Sequence, residues 1–304
     1  MTISVIIPTY NGAHKILRTL RALERQSMQE FETIVVVDGS TDNTLNLLNE
    51  SSLKLKKITI IAQENQGRAA VRNRGGDAAT GKLLVFLDDD MRPHKQWLEA
   101  HLYHHQKYQN TIGVGSQLND WSEAYTEMQR YRCYYSRRWE KHFNNQKNEP
   151  TQLDQDTLHI TAANFSISQN IFRSLHGFEE QLRDAEDYDL AVRAFERNIP
   201  VFFLPNAKAW HDENYTLASY IRRRKGYLKA HQSLIQLRPE LYAKHTLRNV
   251  TKKKGLKKIV FWLFSSSYWV KAVDTANLFR WVPAPLRFRL YDLIITSKVV
   301  YFPR

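Results

Sequence analysis

Along the first hundred residues, short apolar blocks alternate with stretches in which apolar positions recur every three or four residues. "SVIIP" (4–8), "FETIVVVD" (31–38), "ITIIAQ" (58–63) and "LLVFL" (83–87) are rich in consecutive apolar side chains, as strands covered on both faces require. Between them, "AHKILRTLRALERQ", "TDNTLNLLNE" and "GRAAVRNRGGDAAT" read as helices. The second has Thr41 or Asp42 as its N-cap, and Gly81 closes the third. "PHKQWLEAHLYHHQ" follows the fourth strand as a helix with Pro93 in its first turn. This alternation predicts an α/β fold, a mostly parallel sheet flanked by helices. Ligands of such sheets bind beyond the carboxyl ends of the strands. There the chain carries Thr9-Tyr10-Asn11, Asp38, and Asp88 to Asp90.

Beyond residue 110 the pattern loosens. "TIGVGSQL" (111–118) reads as a strand, 121–143 as a helix, and "HITAANFSIS" (159–168) as strand and turn. "AEDYDLAVRAFERN" is a helix, with Leu190, Ala191, Ala194 and Phe195 at helical spacing. "VFFLP" reads as a short strand, with "AKAWHDE" after it.

Charge divides the chain in two. Residues 214–304 hold 19 Lys and Arg against 3 acids, whereas residues 1–213 hold 25 against 28. The basicity therefore belongs to a C-terminal extension and marks it as facing something anionic. In that extension "IRRRKGYLKAHQ" and "TKKKGLKKIVFWLFSSSYWVK" set basic clusters beside aromatic and aliphatic runs. The longest apolar stretch, 259–270, has 12 residues including three serines, and a spanning helix needs about 20. Such a segment suits the interface of an anionic membrane, with Trp262, Tyr268 and Trp269 at headgroup level. A helical subdomain packed on the body is the plainer alternative. No nucleic-acid-binding motif accompanies the charge, so nucleic acid is not an expected partner. The expected division is a body over 1–213 and a basic, aromatic-rich helical extension over 214–304.

The N-terminus, "MTISVIIPTYNG", lacks the basic start of a signal peptide, and Pro8 and Asn11-Gly12 interrupt its apolar run. The single cysteine, Cys133, leaves no intramolecular disulfide and fits a reducing compartment. With the basic extension, these lead to the expectation of a cytoplasmic protein, peripheral on the inner face of the cell membrane.

Three acids in a row at a strand's end demand a compensating cation, full hydration, or both. On an extended backbone Asp88 and Asp90 share one face and Asp89 points elsewhere. Two convergent carboxylates form a half-site for Mg²⁺ or Mn²⁺, which fill the rest of their shell with phosphate oxygens and water. A solvated acidic loop is the alternative. No Walker loop or G-x-G-x-x-G follows any strand, which argues against a P-loop hydrolase and a dinucleotide oxidoreductase. A second acidic cluster, "RDAEDYDLAVR", puts Glu186 and Asp187 at a helix start, where the dipole favours an ionised carboxylate suited to a general base. His211, after a strand-like run, is either structural or a metal ligand.

Six motifs in this order, "SVIIPTYNG", "VVDGSTDNT", "QENQGRAAVRNRG", "FLDDD", "AANFSIS…GF" and "EDYDLAVR", resemble the family 2 glycosyltransferases over roughly residues 2–213. The resemblance implies a GT-A fold, a nucleotide-binding α/β sandwich, and an inverting transfer of sugar from a nucleotide-sugar, by family habit a UDP-sugar. It implies that Pro8, Thr9 and Tyr10 lie against the nucleoside, that Asp38 recognises the base, and that Gly67, Arg68 and Arg72 lie near the nucleotide. Val37 stands where members often carry a second acid before Gly-Ser. The triplet resembles the family's D-x-D element, with Asp88 and Asp89 near the nucleotide and sugar. Asp90, Asp88 and His211 would hold Mn²⁺ or Mg²⁺, Asp187 beside Glu186 would be the base, and Asn164 and Phe165 would line the sugar and acceptor side. The implied acceptor is a saccharide or lipid-linked glycan of cell-surface polysaccharide synthesis. A sugar nucleotidyltransferase would want a glycine-rich basic loop after the first strand, which "PTYNGAH" does not supply. A membrane-bound scaffold of the same fold without catalysis is the non-enzymatic alternative.

Overall fold

The structure, a computed structural model, describes residues 1–143, 148–212, 214–244 and 255–303. Its strands are β1 (Ile3–Thr9), β2 (Glu32–Asp38), β3 (Ile58–Gln63), β4 (Leu83–Leu87), β5 (Met91–Pro93), β6 (Ile112–Leu118), β7 (Thr151–Gln152), β8 (Asn164–Ser168) and β9 (Val201–His211). They form one sheet in the order β3-β2-β1-β4-β8-β6-β9-β5, with β7 on β9. The run β3-β2-β1-β4 is parallel throughout, while β8 pairs antiparallel with both β4 and β6. Flanking helices are α1 (Ile16–Leu23), α2 (Thr44–Glu50), α3 (Arg68–Ala78), α4 (Trp97–Lys107), α5 (Glu127–Phe143), α6 (Gln169–Ser174) and α7 (Glu186–Glu196).

Three of the four apolar runs are covered on both faces, whereas β3, at the end of the sheet order, has no buried residue, which corrects the expectation for that run. β1, β2 and β4 are buried along their whole length. Phe86 of β4 stacks on Phe165 of β8 with ring centroids 4.7 Å apart, and Phe178 meets both rings edge-on. α1 turns Ile16, Leu20 and Leu23 inward, and α7 does the same with Leu190, Ala191 and Ala194.

Several local expectations are corrected. Pro93 lies in β5, the end strand of the sheet's main path, where a residue without an N–H costs no ladder bond; α4 begins four residues later. β9 does not stop at Pro205. Its pairing with β6 breaks register after Gly115 and resumes at Gln117–Ala209, so a bulge absorbs the proline and the strand runs on to His211. Residues 159–163 stay outside the strand that begins at Asn164. α2 is capped formally by Asn43, but the Asp42 carboxylate accepts the Thr44 N–H. Gly81 closes no helix. It sits against β1, where a Cβ would meet the Ile3 carbonyl carbon at 2.7 Å.

The chain divides into two compact units, 1–120 with 135–212, and 121–134 with 213–304. The second takes the first half of α5 as well as the C-terminal region. It contains α8 (Leu217–Leu237), α9 (Pro239–Lys244), α10 (Leu256–Phe264), α11 (Ser267–Ala276), α12 (Ala284–Thr296) and a π-helical turn, Ser297–Tyr301. Its core groups Tyr131 with Phe288, Tyr291 and Tyr220, and the Tyr131 hydroxyl donates to Asp292 at 2.7 Å. Glu127 accepts an ion pair from Arg287 at 3.0 Å. Asp274 of α11 accepts the first two N–H groups of α8, which the capping box of Thr216 and Ser219 also secures. Among the described residues, no helix is long and apolar enough to cross a membrane. Lys252, Lys253 and Lys254 of the basic cluster lie outside the described residues.

Candidate active site

Parallel pairing of β1 with β2 and β4 brings their carboxyl ends together, so Thr9, Asp38 and Asp88 share one edge of the sheet. β9 ends there too, because its antiparallel partner β5 sets His211 opposite Met91, just past the acidic triplet. The triplet is not extended. Met91 N donates to Asp88 O at 3.1 Å, closing a tight turn that sends the three carboxylates to different partners.

Asp88 turns to Arg72, 2.7 Å away. Asp89 is buried, accepts from the Thr9 hydroxyl at 2.6 Å and pairs with Lys15 at 2.8 Å. Burial lifts its carboxyl to about 6 despite Lys15. Asp90 splits its oxygens, Oδ2 lying 3.4 Å from Lys15 Nζ and Oδ1 3.2 Å from His211 Nε2. Burial opposes its charge, but His211 and Lys15 outweigh burial and hold it well below the usual carboxylate range. The expected pairing of Asp88 with Asp90 on one face is therefore corrected; Asp90 and His211 face each other instead.

Arg72 is the joint between the two acidic clusters. It is almost fully buried, with one guanidinium nitrogen on Asp88 and another on Glu186, each at 2.7 Å. Its charge is locked in: burial works against it, but Asp88 and Glu186 raise its pKa further still. This bridge ties the first turn of α7 to the turn after β4. Nearby, Arg68 reaches Asp184 in the loop before α7, at 3.2 Å.

Asp187 lies in that first turn of α7. Oδ1 accepts the Tyr188 N–H at 2.8 Å and Oδ2 the Ala162 N–H at 3.3 Å. Its surface stays partly open, yet protein crowds it on most sides. Desolvation first, then the adjacent Glu186, push its carboxyl up to about 7, against the two N–H bonds and Arg72. Burial and a like charge act against the helix dipole here.

The remaining expected residues fall into two groups. Tyr10 is half exposed at the sheet edge, Pro8 is buried in β1, and Gly67 opens α3 with φ 93°. Asp38 is buried, and its carboxylate accepts from Gln63, from Gln66 N and from Gly67 N at 2.8 to 2.9 Å. It holds the β3–α3 loop in place rather than facing open solvent. Asn164 and Phe165 are fully buried. Asn164 accepts from Trp97 Nε1 at 2.8 Å and donates to the Ala207 carbonyl at 2.9 Å, while Phe165 is core. Neither lines an open acceptor surface.

Sequence reading missed Lys15, which nothing in the β1–α1 loop singles out. It also missed Arg92, which grips Asp212 at 2.8 Å and Asp120 at 3.2 Å beside His211. Gly12 is a further such position, since a Cβ there would meet Thr9 Oγ1 at 2.2 Å and Asp89 Oδ2 at 2.7 Å.

The residues present fit a divalent cation. Asp90 Oδ1 is buried, takes no well-directed hydrogen bond, and faces a histidine nitrogen. Among the described residues no three His, Cys, Asp or Glu gather to hold an ion on protein alone. An ion at Asp90 and His211 would complete its shell with phosphate oxygens and water, as Mg²⁺ and Mn²⁺ do.

Comparison with protein families matches residues 4–175 to glycosyl transferase family 2. Glycosyltransferase AglE of Haloferax volcanii is 40% identical over 100 residues, 32% of this chain and 33% of its own length. The amylovoran biosynthesis glycosyltransferase AmsB of Erwinia amylovora is 36% identical over 105 residues, 34% and 35% of the two chains. The match thus spans about a third of the length of these curated relatives. Among solved structures, mannosyltransferase PcManGT of Pyrobaculum calidifontis, in complex with GDP-Man and Mn²⁺, superposes with a TM-score of 0.63 at 17% identity, over 98% of this chain and 86% of that one. S. aureus TarS 1-349 in complex with UDP superposes with a TM-score of 0.56 at 18% identity, over 98% and 89%. These neighbours share the fold, a GT-A architecture. With 4–175 accounted for by the family, the chain belongs to glycosyl transferase family 2.

Proposed function

We propose that this chain is an inverting glycosyltransferase that moves a sugar from a nucleoside-diphosphate donor to an acceptor hydroxyl. The observation that carries the reading is the Glu186–Arg72–Asp88 bridge, which joins the Asp187 helix start to the turn bearing Asp90. Asp187 takes the acceptor's hydroxyl proton. That oxygen bonds to the anomeric carbon as the bond to the diphosphate breaks on the opposite face. A carboxylate poised near neutral pH suits this task, since a base works best when its pKa approaches the working pH. Asp90 and His211 would hold Mn²⁺ or Mg²⁺, a Lewis acid for the departing diphosphate. Lys15 steers Asp90 by holding Oδ2, leaving Oδ1 toward His211. Tyr10, half exposed, offers a ring to the nucleoside.

UDP is the donor nucleotide this reading favours, with GDP the competitor; TarS is seen with UDP and PcManGT with GDP-Man. The acceptor is a glycan, free or lipid-linked, in cell-surface polysaccharide synthesis; the relative AmsB is named for amylovoran biosynthesis. A cytoplasmic position at the membrane's inner face belongs to the same reading and rests on the second unit.

Calorimetric titration of UDP and GDP, with Mn²⁺ and with chelator, into wild type and Asp90→Asn tests the reading. Binding of one nucleotide that needs Mn²⁺ and is lost in Asp90→Asn is the expected result. A folded protein that binds neither nucleotide sinks it.

A further inference from the structure

α10 has an unusual exposure pattern for a nine-residue helix this apolar: none of its residues is buried. Phe261 and Phe264, three apart on one face, attach it to the unit. Phe261 packs on Tyr301 with ring centroids 4.3 Å apart, and Phe264 stacks on Trp269 at 5.0 Å. The other large side chains stay outside. Ile259 is 60% exposed and Trp262 63%. Trp269 itself turns inward, against its expected place at the headgroups, and stacks on Phe279. The ladder Phe264–Trp269–Phe279 so gathers three segments, and an outward apolar residue adjoins each ring in sequence. These are Leu263, Tyr268 (65% exposed) and Leu278, with Trp281 (84% exposed) two positions past Phe279. The apolar stretch expected to lie in an interface is thus two helices broken at Ser265–Ser266.

Charge selects the occupant. Lys257 and Lys258 stand on α10, Lys271 on α11, and Arg280 lies over the Trp281 ring at 4.7 Å. Of the three acids in 214–304, Asp274 caps α8 and Asp292 accepts the Tyr131 hydroxyl, so both are spent inside the unit. An exposed apolar patch of this kind marks an interaction surface. A second copy docked through the same face would set like charges against each other. Tryptophan and tyrosine beside lysine and arginine, on helices too short to span, match the boundary between acyl chains and anionic headgroups.

We propose that the face formed by α10, the start of α11 and the 277–281 loop docks on an anionic lipid bilayer. Ile259, Trp262, Leu263, Tyr268 and Trp281 enter the headgroup–acyl boundary, and Lys257, Lys258, Lys271 and Arg280 sit among lipid phosphates. The inference rests on the membrane-face part of the proposed function and names its surface; it does not depend on the donor chemistry.

The test is flotation of the full chain with vesicles of phosphatidylcholine alone and of phosphatidylcholine with an equal part of phosphatidylglycerol. Wild type is compared with Trp262→Ser/Leu263→Ser, with Trp281→Ser and with Lys257→Gln/Lys258→Gln. Expected are binding to the anionic vesicles only, a blue shift of tryptophan emission on binding, and partition weakened about tenfold or more by each apolar variant. Binding to anionic vesicles that all three variants retain overturns the proposal, as does wild type remaining with the soluble fraction. So does a dimer that the apolar variants convert to monomer without any vesicle binding. Parallel UDP and GDP titration separates the two readings: a chain that binds nucleotide but no vesicle loses the membrane face alone, and one that binds vesicles but no nucleotide loses the transferase reading alone.

Discussion

At Asp187 three influences meet: a helix start that favours the anion, and burial and Glu186 that oppose it. The balance near neutral has a kinetic consequence. Transfer at low acceptor concentration should rise with pH through about 7, because only the deprotonated carboxylate accepts a proton. Glu186→Gln removes the like charge and should move that rise to lower pH in a pH–rate profile. Asp187→Asn should keep the nucleotide affinity of wild type while transfer falls by about 10²–10⁴-fold; unaltered turnover would remove Asp187 from the base role. Arg72 carries a different kind of dependence. Arg72→Met would strand Asp88 and Glu186 without their shared cation, at a cost of about 3–5 kcal/mol, read as a lower denaturant midpoint with m unchanged.

Among elements, α4 carries a pH dependence of its own. It buries His101, His104 and His105 against β8 and Thr111. Burial pushes His101 and His104 down to about 3 and His105 to about 4. The unfolded chain takes up protons near the ordinary histidine value, about 6.5, whereas the folded chain refuses them until much lower pH. Their contribution to stability is therefore full above about 6.5 and is lost as pH falls from there toward 4 for His105 and toward 3 for His101 and His104. Urea unfolding between pH 7 and 5 should show stability falling by up to about 1.4 kcal/mol per pH unit for each histidine. His104→Gln, which keeps a partner for the Thr111 hydroxyl, should flatten that slope by about one proton. A slope unchanged in the variant would place the acid lability elsewhere.

For the whole molecule, the boundary between units decides what truncation does. A cut at residue 213 looks clean by charge, but α5 begins in the second unit. Removing 214–304 would strip Tyr131 of Asp292, Phe288 and Tyr291, and Glu127 of Arg287. A chain ending at 213 should therefore aggregate or melt well below the full chain in a thermal scan. One that melts like the full chain would show that α5 needs none of these contacts. The basic surface of the second unit also predicts that vesicle binding weakens as salt rises, since headgroup attraction is screened within about 10 Å at 0.1 M.

What the sequence alone determined was whatever depends on neighbours along the chain. The four parallel strands and their helices follow from local apolar period, and the placing of Thr9, Asp38 and Asp88 near strand ends follows from where each run stops. The order of motifs identified the family for the same reason. Tertiary structure decided everything set by distant partners or by burial. Arg72 meets Glu186 across 114 positions, and Lys15 meets Asp90 across 75. No local pattern announces either pair. The turn that separates Asp88 from Asp90, the bulge that carries β9 past Pro205, and the inward turn of Trp269 depend on packing. So do the burial of Asn164 and Phe165 and the upward push on the Asp187 carboxyl. A side chain's residue type states which bonds it can make; only the surrounding fold sets which it makes and how much water it keeps.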